Sequence, residues 1–272
     1  MIHKVYPIQV QGSLPDARLI TYIQDSSDSM AIDKRPLVLI CPGGGYGYTS
    51  DRESEPIALA FLAMGYHAAI LRYSCAPARY PTALLELASS MLLIRKNAEE
   101  WHVDADKIIV QGCSAGGHLA ACLGMFWDED FLAESMGLQA GEHDLLRPKG
   151  MLLCYPVITS GEFAHRGSFQ NLLGEREAEL SEQLSLEHRV SEKTPEAFIW
   201  GTFEDGSVPM ENSLLLVSAM RRAHIPVEYH LYPKGGHGLA LATRLTETSD
   251  GRHVQESCAT WIELAKNWLK HL

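Results

Sequence analysis

The feature that most constrains this chain is a five-residue turn at positions 112–116, Gly-Cys-Ser-Ala-Gly. The apolar run before it, residues 107–111, predicts a buried strand, and residues 117–126 after it predict a helix. A strand that passes into a helix within so few residues needs glycine on both sides of the serine, because the two backbones come close together. The turn therefore predicts that Ser114 stands exposed above the sheet edge as a nucleophile. The adjoining helix N-terminus favours negative charge there.

The rest of the chain alternates between strand-like and helix-like segments, which predicts a doubly wound α/β fold. The predicted strands are residues 4–10, 19–23, 37–41, 67–73, 107–111, 150–155, 197–201 and 227–232, and the predicted helices are residues 55–64, 81–101, 116–126, 210–223 and 254–269. The later strands are continuous Val, Ile and Leu runs, typical of a mostly parallel sheet with helices on both faces.

A single domain over residues 1–272 accounts for all of these segments. The stretch 158–195 differs from the other segments because it is polar, and it contains a helical piece around residues 175–186. It is predicted to be a short, lid-like insertion over the carboxyl ends of the strands, where α/β sheets bind their ligands.

The composition limits the classes of molecule that the chain is expected to bind. Lys and Arg total 23 against 34 Asp and Glu, a net charge of −11, which argues against nucleic acids and anionic membranes. The first residues lack the apolar core of a signal peptide, so a cytoplasmic location is expected. The six cysteines contain no C-x-x-C pair and are predicted to be reduced, buried thiols. Oligomeric state stays open, with a homodimer as one option.

A second glycine-rich loop, Pro-Gly-Gly-Gly-Tyr-Gly at residues 42–47, follows the predicted strand 37–41. It does not suit a dinucleotide, because the G-x-G-x-x-G register would need glycine at Tyr48 or Ser50. Backbone N–H groups in such a loop can instead hold a developing oxyanion. Gly44 and Gly45, with the N–H of Ala115, are the predicted oxyanion hole.

The remaining partners of Ser114 are expected after later strands. Asp205 follows the strand 197–201 and is the predicted acid, with its neighbour Glu204 as the alternative. His237 follows the last strand, flanked by glycines, and is the predicted base. The chain order Ser114, Asp205, His237 is that of α/β-hydrolases and differs from the orders of chymotrypsin and subtilisin.

These pieces resemble the α/β-hydrolase superfamily, in particular its esterase/lipase group and the small bacterial acetyl-xylan-esterase-like branch. The matching motifs lie at residues 42–46, 72–81, 112–121, 205–214 and 233–238. Pro42 stands where the lipase-like loop has histidine, which leaves the backbone donors unchanged. Cys-Ala-Pro-Ala at 75–78 replaces Leu-Ala-Pro-Glu, a departure from a lipase-like pocket. Tyr46 and Tyr80, which lie within two of these motifs, are predicted to bind substrate.

The resemblance implies a serine carboxylesterase that hydrolyses short-chain acyl esters, acetylated sugars among them, with no metal or cofactor. Its partner would be a small-molecule ester. Two other classes stay open from the sequence. One is a hydrolase with the same triad that cleaves another bond, as in arylformamidases, peptidases or dienelactone hydrolases. The other is a non-catalytic receptor on the same fold.

Overall fold

The computed structural model describes residues 1–27 and 29–272. Within this part of the chain, eight strands form one sheet: Ile2–Pro7 (β1), Arg18–Ile23 (β2), Arg35–Cys41 (β3), His67–Arg72 (β4), Val103–Cys113 (β5), Gly150–Cys154 (β6), Glu196–Thr202 (β7) and Val227–Tyr232 (β8). The α-helices of the same residues are Glu55–Ala63 (α1), Thr82–Lys96 (α2), Ala115–Phe126 (α3), Asp130–Ser135 (α4), Arg166–Leu173 (α5), Glu177–Leu180 (α6), Glu211–Arg222 (α7) and Trp261–Leu269 (α8).

The strand order across the sheet is β1-β2-β4-β3-β5-β6-β7-β8. The pairs β1–β2 and β2–β4 are antiparallel, and every pairing from β4 through β3 to β8 is parallel. The prediction of a mostly parallel, eight-stranded sheet is therefore confirmed, with the two antiparallel pairs at one edge. In the parallel part, the carboxyl ends of β3, β5, β6, β7 and β8 lie at one edge of the sheet.

Each central strand is buried on both faces, which explains its unbroken apolar sequence. In β3, Leu37 and Leu39 join one core cluster, and Val38 and Ile40 join the other. Helices α2, α3 and α7 contribute to the first cluster, and helices α1 and α8 contribute to the second. The longest helix, α2, has 15 residues, and no helix of the described residues is long and apolar enough to cross a membrane.

Three predicted helical segments differ from the structure by more than one residue at an end. Helix α2 ends at Lys96 instead of position 101, because the Asn97 side chain donates to the Leu93 carbonyl and closes the last turn. Helix α8 begins only at Trp261, because the Gln255 N–H bonds to Ala242 O in a neighbouring loop. Local patterns do not reveal either contact.

The third difference lies in the polar insertion between β6 and β7. Its longest helix is α5, residues 166–173, whereas the predicted piece around 175–186 consists of the four-residue α6 and short 3₁₀ turns. Gly174, with a φ of 57°, separates α5 from these turns. The side chain of Asn171 on α5 donates to Gly45 O, which ties the insertion to the glycine-rich loop after β3.

Candidate active site

The turn between β5 and α3 holds Ser114 in a backbone conformation that residues other than glycine rarely adopt, with φ 54° and ψ −120°. Its N–H donates to Cys154 O on β6, and its carbonyl accepts from Val157 N. These bonds over-determine the conformation, whose strain costs about 1–3 kcal/mol. Ser114 is thereby fixed at the carboxyl end of β5, at the N-terminus of α3.

The glycines of this turn are required by close backbone contacts. A Cβ on Gly112 would lie 2.1 Å from Gly116 O, and a Cβ on Gly116 would lie 2.0 Å from Cys41 O. Both distances are far shorter than any contact that a Cβ makes in real proteins. Both oxygens belong to the backbone, so no side-chain rotation can relieve the clash. The spacing of glycine around Ser114 therefore follows from the packing of α3 against β3 and β5.

We expect Gly116→Ala to lower the free energy of unfolding by about 1–3 kcal/mol or more, because the added methyl group must push α3 away from β3. At roughly 2–4 °C per kcal/mol, this lowers the thermal midpoint measured by circular dichroism. Gly206→Ala is the matched control, since a Cβ there meets no atom within 4 Å. Equal midpoints for the two variants would contradict the packing explanation.

The side chains of Ser114, His237 and Asp205 form one hydrogen-bonded chain. His237 Nε2 lies 2.7 Å from Ser114 Oγ, and His237 Nδ1 lies 2.6 Å from Asp205 Oδ2. The carboxylate accepts the Nδ1–H, which leaves Nε2 free to accept the serine hydroxyl. The other oxygen, Asp205 Oδ1, accepts the N–H groups of Ser207 and Val208 at 2.9 Å each. Asp205 is thus held by three donors, and its side chain is 3% exposed.

Glu204, the alternative acid, points elsewhere. Its carboxylate pairs with Lys234 and accepts the Gly235 N–H at 3.3 Å, at an exposed position. The structure therefore places Asp205, and not Glu204, against the imidazole of His237.

The loop after β3 runs beside Ser114. A Cβ on Gly43 would lie 2.8 Å from the Cys113 carbonyl oxygen and 3.1 Å from the Ser114 Cβ, so glycine allows this approach. The Gly43 N–H is already bonded to the Glu53 carboxylate at 2.9 Å. The N–H groups of Gly44, Gly45 and Ala115 have no acceptor among the described residues. These three groups are those predicted to receive an oxyanion, and the structure leaves them available.

Tyr46 and Tyr80, predicted to bind substrate, do not line the cleft above Ser114. The positive φ of 57° at Tyr46 turns its side chain into the core, where its hydroxyl bonds to His118 Nδ1 at 2.9 Å. Tyr80 borders a separate depression beside α3 and α6. The aromatic residue that faces the cleft is Tyr48, which is 66% exposed. The structure therefore places neither Tyr46 nor Tyr80 in the wall of this cleft.

The cleft has a volume of about 700 Å³ and opens at the carboxyl edge of the sheet. Its walls contain glycines, one tyrosine and otherwise polar side chains, and none of the described residues that line it has an aliphatic side chain. The lining residues are Gly44, Gly45, Tyr48, Thr49, Ser50, Asp51, Arg52, Glu53, Ser114, His165, Gly167, Asn171, Ser207, His237, Gly238, Thr248 and His253. His165, Gly167 and Asn171 come from the insertion between β6 and β7.

Two buried residues near the site were not found from the sequence. Glu53 precedes α1, and Tyr155 follows β6 with its ring packed edge-on against the His237 ring, at 5.1 Å between centroids. Tyr155 could have been suspected, because it stands at the carboxyl end of a parallel strand. No local pattern distinguishes Glu53. Across residues 1–27 and 29–272, no group of three or more His, Cys, Asp or Glu side chains is arranged to hold a metal ion.

The chain is similar in sequence to a protein family and to several known proteins. The BD-FAE family matches residues 26–220, more than half of the chain. The chain is 36% identical over 217 residues to endo-1,4-β-xylanase B of Butyrivibrio fibrisolvens, which covers 77% of this chain and 33% of that protein. Overall, the chain spans about a third to a little over half of the length of the curated relatives it matches.

Solved structures are similar to this chain over nearly its whole length. An acetyl ester-xyloside bifunctional hydrolase from Caldicellulosiruptor lactoaceticus is 36% identical with a TM-score of 0.78, covering 94% of this chain and 88% of that one. The carboxylesterase Cest-2923 from Lactobacillus plantarum WCFS1 is 30% identical with a TM-score of 0.84, covering 100% and 98%. With the strand order, these similarities confirm the predicted α/β-hydrolase fold and the predicted resemblance to esterases.

Proposed function

The chain belongs to the BD-FAE family, and on that premise we propose that it is a serine esterase that removes short acyl groups, acetyl above all, from sugar hydroxyls. The observation that carries the proposal is the hydrogen-bonded chain from Ser114 through His237 to Asp205 at the floor of a polar cleft. A nucleophile, a base and a group that orients the base, each within hydrogen-bonding distance of the next, are what acyl transfer requires.

In the first step, His237 Nε2 takes the hydroxyl proton of Ser114 as Oγ attacks the ester carbonyl. The N–H groups of Ala115 and of Gly44 or Gly45 hold the oxyanion that forms, and removing one such donor typically costs about 10²–10³ in rate. The tetrahedral intermediate expels the alcohol, which leaves with the proton from His237. In the second step, His237 deprotonates a water that attacks the acyl-enzyme, and the acid is released as Ser114 regains its proton.

The walls of the cleft support a short acyl group and a polar alcohol. A fatty acyl chain gains about 0.8 kcal/mol for each CH₂ that it buries, but it needs aliphatic walls to do so. The described lining offers no aliphatic side chain, while Tyr48 presents an exposed aromatic ring to the same cleft as Asn171, Thr248 and Asp51. Aromatic rings with neighbouring hydrogen-bonding groups suit a pyranose ring, which has an apolar face and polar edges.

His165 adds a defined hydrogen-bond donor to this cleft. Its Nδ1 accepts the backbone N–H of Ser168 at 3.2 Å, so a neutral ring carries its proton on Nε2. Burial and the neighbouring His237 lower the pKa of His165, although Asp205 acts in the opposite direction. The lowered pKa keeps the ring of His165 neutral. Nε2–H has no acceptor among the described residues and is available to an oxygen of the substrate.

The proposal is tested with a substrate panel. We expect kcat/KM for p-nitrophenyl acetate to exceed that for p-nitrophenyl octanoate by about tenfold or more, because no aliphatic side chain lines the described cleft to receive the longer chain. Acetate release from acetylated xylo-oligosaccharides, measured by an enzyme-coupled assay, should saturate at lower substrate concentration than release from the aryl ester. The panel also includes an N-formyl arylamine and a peptide p-nitroanilide.

Other outcomes would overturn the proposal. Faster turnover of the formyl amide or the anilide than of every acetyl ester would assign the site to amide cleavage. A preference for octanoate would contradict the argument from the polar walls. A folded protein that neither hydrolyses the panel nor reacts with a fluorophosphonate probe would indicate a receptor on this fold.

A further inference from the structure

We propose that Glu53 and Tyr155 form a buried bridge that holds the His237 loop at a fixed distance from the glycine-rich loop after β3, and that this bridge sets the turnover rate of the site. The inference rests on the proposed function only in taking Ser114 and His237 as nucleophile and base. Both members are positioning residues, since they act through the two loops and not on the reacting atoms.

The bridge begins at the glycine-rich loop. Glu53 is 4% exposed, and its Oε2 accepts the Gly43 N–H at 2.9 Å. Its other oxygen, Oε1, accepts the Tyr155 hydroxyl at 2.7 Å. A carboxylate that leaves water costs free energy unless donors satisfy it, so these two bonds hold Glu53 in one place. Gly43, where an added Cβ would lie 3.1 Å from the Ser114 Cβ, is thereby held next to Ser114.

The bridge ends at the loop that carries the base. The Tyr155 hydroxyl, which donates to Glu53, also accepts the Ala240 N–H at 2.9 Å. Burial, with the nearby Cys113 and Glu53, raises the pKa of Tyr155, so the hydroxyl keeps its proton and remains a donor. The ring of the same residue packs edge-on against His237, at an interplanar angle of 74°. One side chain therefore supports both the backbone of this loop and its imidazole.

The residue beside Glu53 makes a second, parallel tie. Arg52 Nη2 donates to Gly238 O at 2.9 Å, and its Nε donates to Thr246 O at 2.7 Å. Gly238 lies directly after His237. Arg52 directly, and Glu53 through Tyr155, thus hold the segment 238–246 at three points, and of the two only the Glu53 branch also reaches Gly43 and the His237 ring.

A bridge of this kind should act on turnover more than on binding. The oxyanion donors lie on one loop and the base lies on the other. The distance between the two loops therefore decides whether the donors and the base can act on the same tetrahedral intermediate. A misplacement of about 1 Å can cost about 10² in rate. Neither Glu53 nor Tyr155 bonds directly to Tyr48 or Asn171, the walls proposed to contact the substrate's alcohol, so substrate binding should change less than turnover.

The test measures kcat and KM for p-nitrophenyl acetate, and the rate of Ser114 labelling by a fluorophosphonate, in Tyr155→Phe, Glu53→Ala and the double variant. We expect Tyr155→Phe to lower kcat and the labelling rate by about 10- to 100-fold with KM changed less than about twofold. The double variant should lose no more than the worse single variant. Glu53→Gln, which still accepts from Gly43, should recover part of the loss.

Tyr22→Phe is the matched control, because the Tyr22 hydroxyl also donates to a glutamate, Glu55, at 2.9 Å but lies on β2 outside the cleft. It should lower the thermal midpoint without lowering kcat. The bridge is refuted if Tyr155→Phe keeps wild-type kcat and labelling rate, or if the losses of the single variants multiply. If the wild type hydrolyses no ester, the proposed function fails, while the labelling rates still decide for or against the bridge.

Discussion

Ser114→Ala is expected to lower kcat for p-nitrophenyl acetate by about 10⁴- to 10⁶-fold, the largest effect of any single substitution in this chain. Alanine removes the Oγ that we propose attacks the ester, and it leaves His237 without its partner at 2.7 Å. Residual hydrolysis would come from the oxyanion donors alone, which retain their positions. Labelling by a fluorophosphonate probe should disappear along with turnover.

The substitution should leave the fold unchanged, because alanine keeps the Cβ and bears the same φ of 54° at this position. Wild-type circular dichroism and a thermal midpoint within a few degrees therefore form part of the expected result. Ser135→Ala, at an exposed position on α4, serves as the matched serine control. If Ser114→Ala retained more than about a tenth of wild-type turnover, Ser114 would not be the nucleophile.

Those features of the site that depend on strand ends could be predicted from the sequence. Parallel strands place their carboxyl ends at one edge, so residues that follow β5, β7 and β8 must converge. Ser114, Asp205 and His237 each stand one to five residues beyond such a strand. Their positions relative to the strands were enough to bring them together without any knowledge of distances.

The direction of loop side chains could not be predicted in this way. Tyr46 and Tyr48 are two residues apart in one loop, yet one is buried against His118 and the other is 66% exposed. The difference comes from the positive φ at Tyr46, which the neighbouring sequence does not reveal. The Glu53–Tyr155 contact joins residues 102 positions apart, and no local pattern encodes a pair of that kind.

Asp205→Asn is expected to lower kcat by about 10³–10⁴, because the amide can meet His237 only in the wrong orientation. The N–H groups of Ser207 and Val208 both point at Oδ1 and require an oxygen there. The NH₂ group of asparagine must then occupy the position of Oδ2, 2.6 Å from His237 Nδ1. Two donors cannot face each other, so the imidazole would move its proton to Nε2 and could no longer accept from Ser114.

Glu204→Gln separates this explanation from a general loss of negative charge. Glu204 pairs with Lys234 at the surface, where water and salt screen an ion pair, so kcat should change less than about twofold. Nitrogen-15 chemical shifts of His237 should report the proton on Nδ1 in the wild type and in Glu204→Gln, and on Nε2 in Asp205→Asn. Equal losses of kcat in the two variants, or an unchanged tautomer in Asp205→Asn, would show that the acid does not act through the orientation of the imidazole.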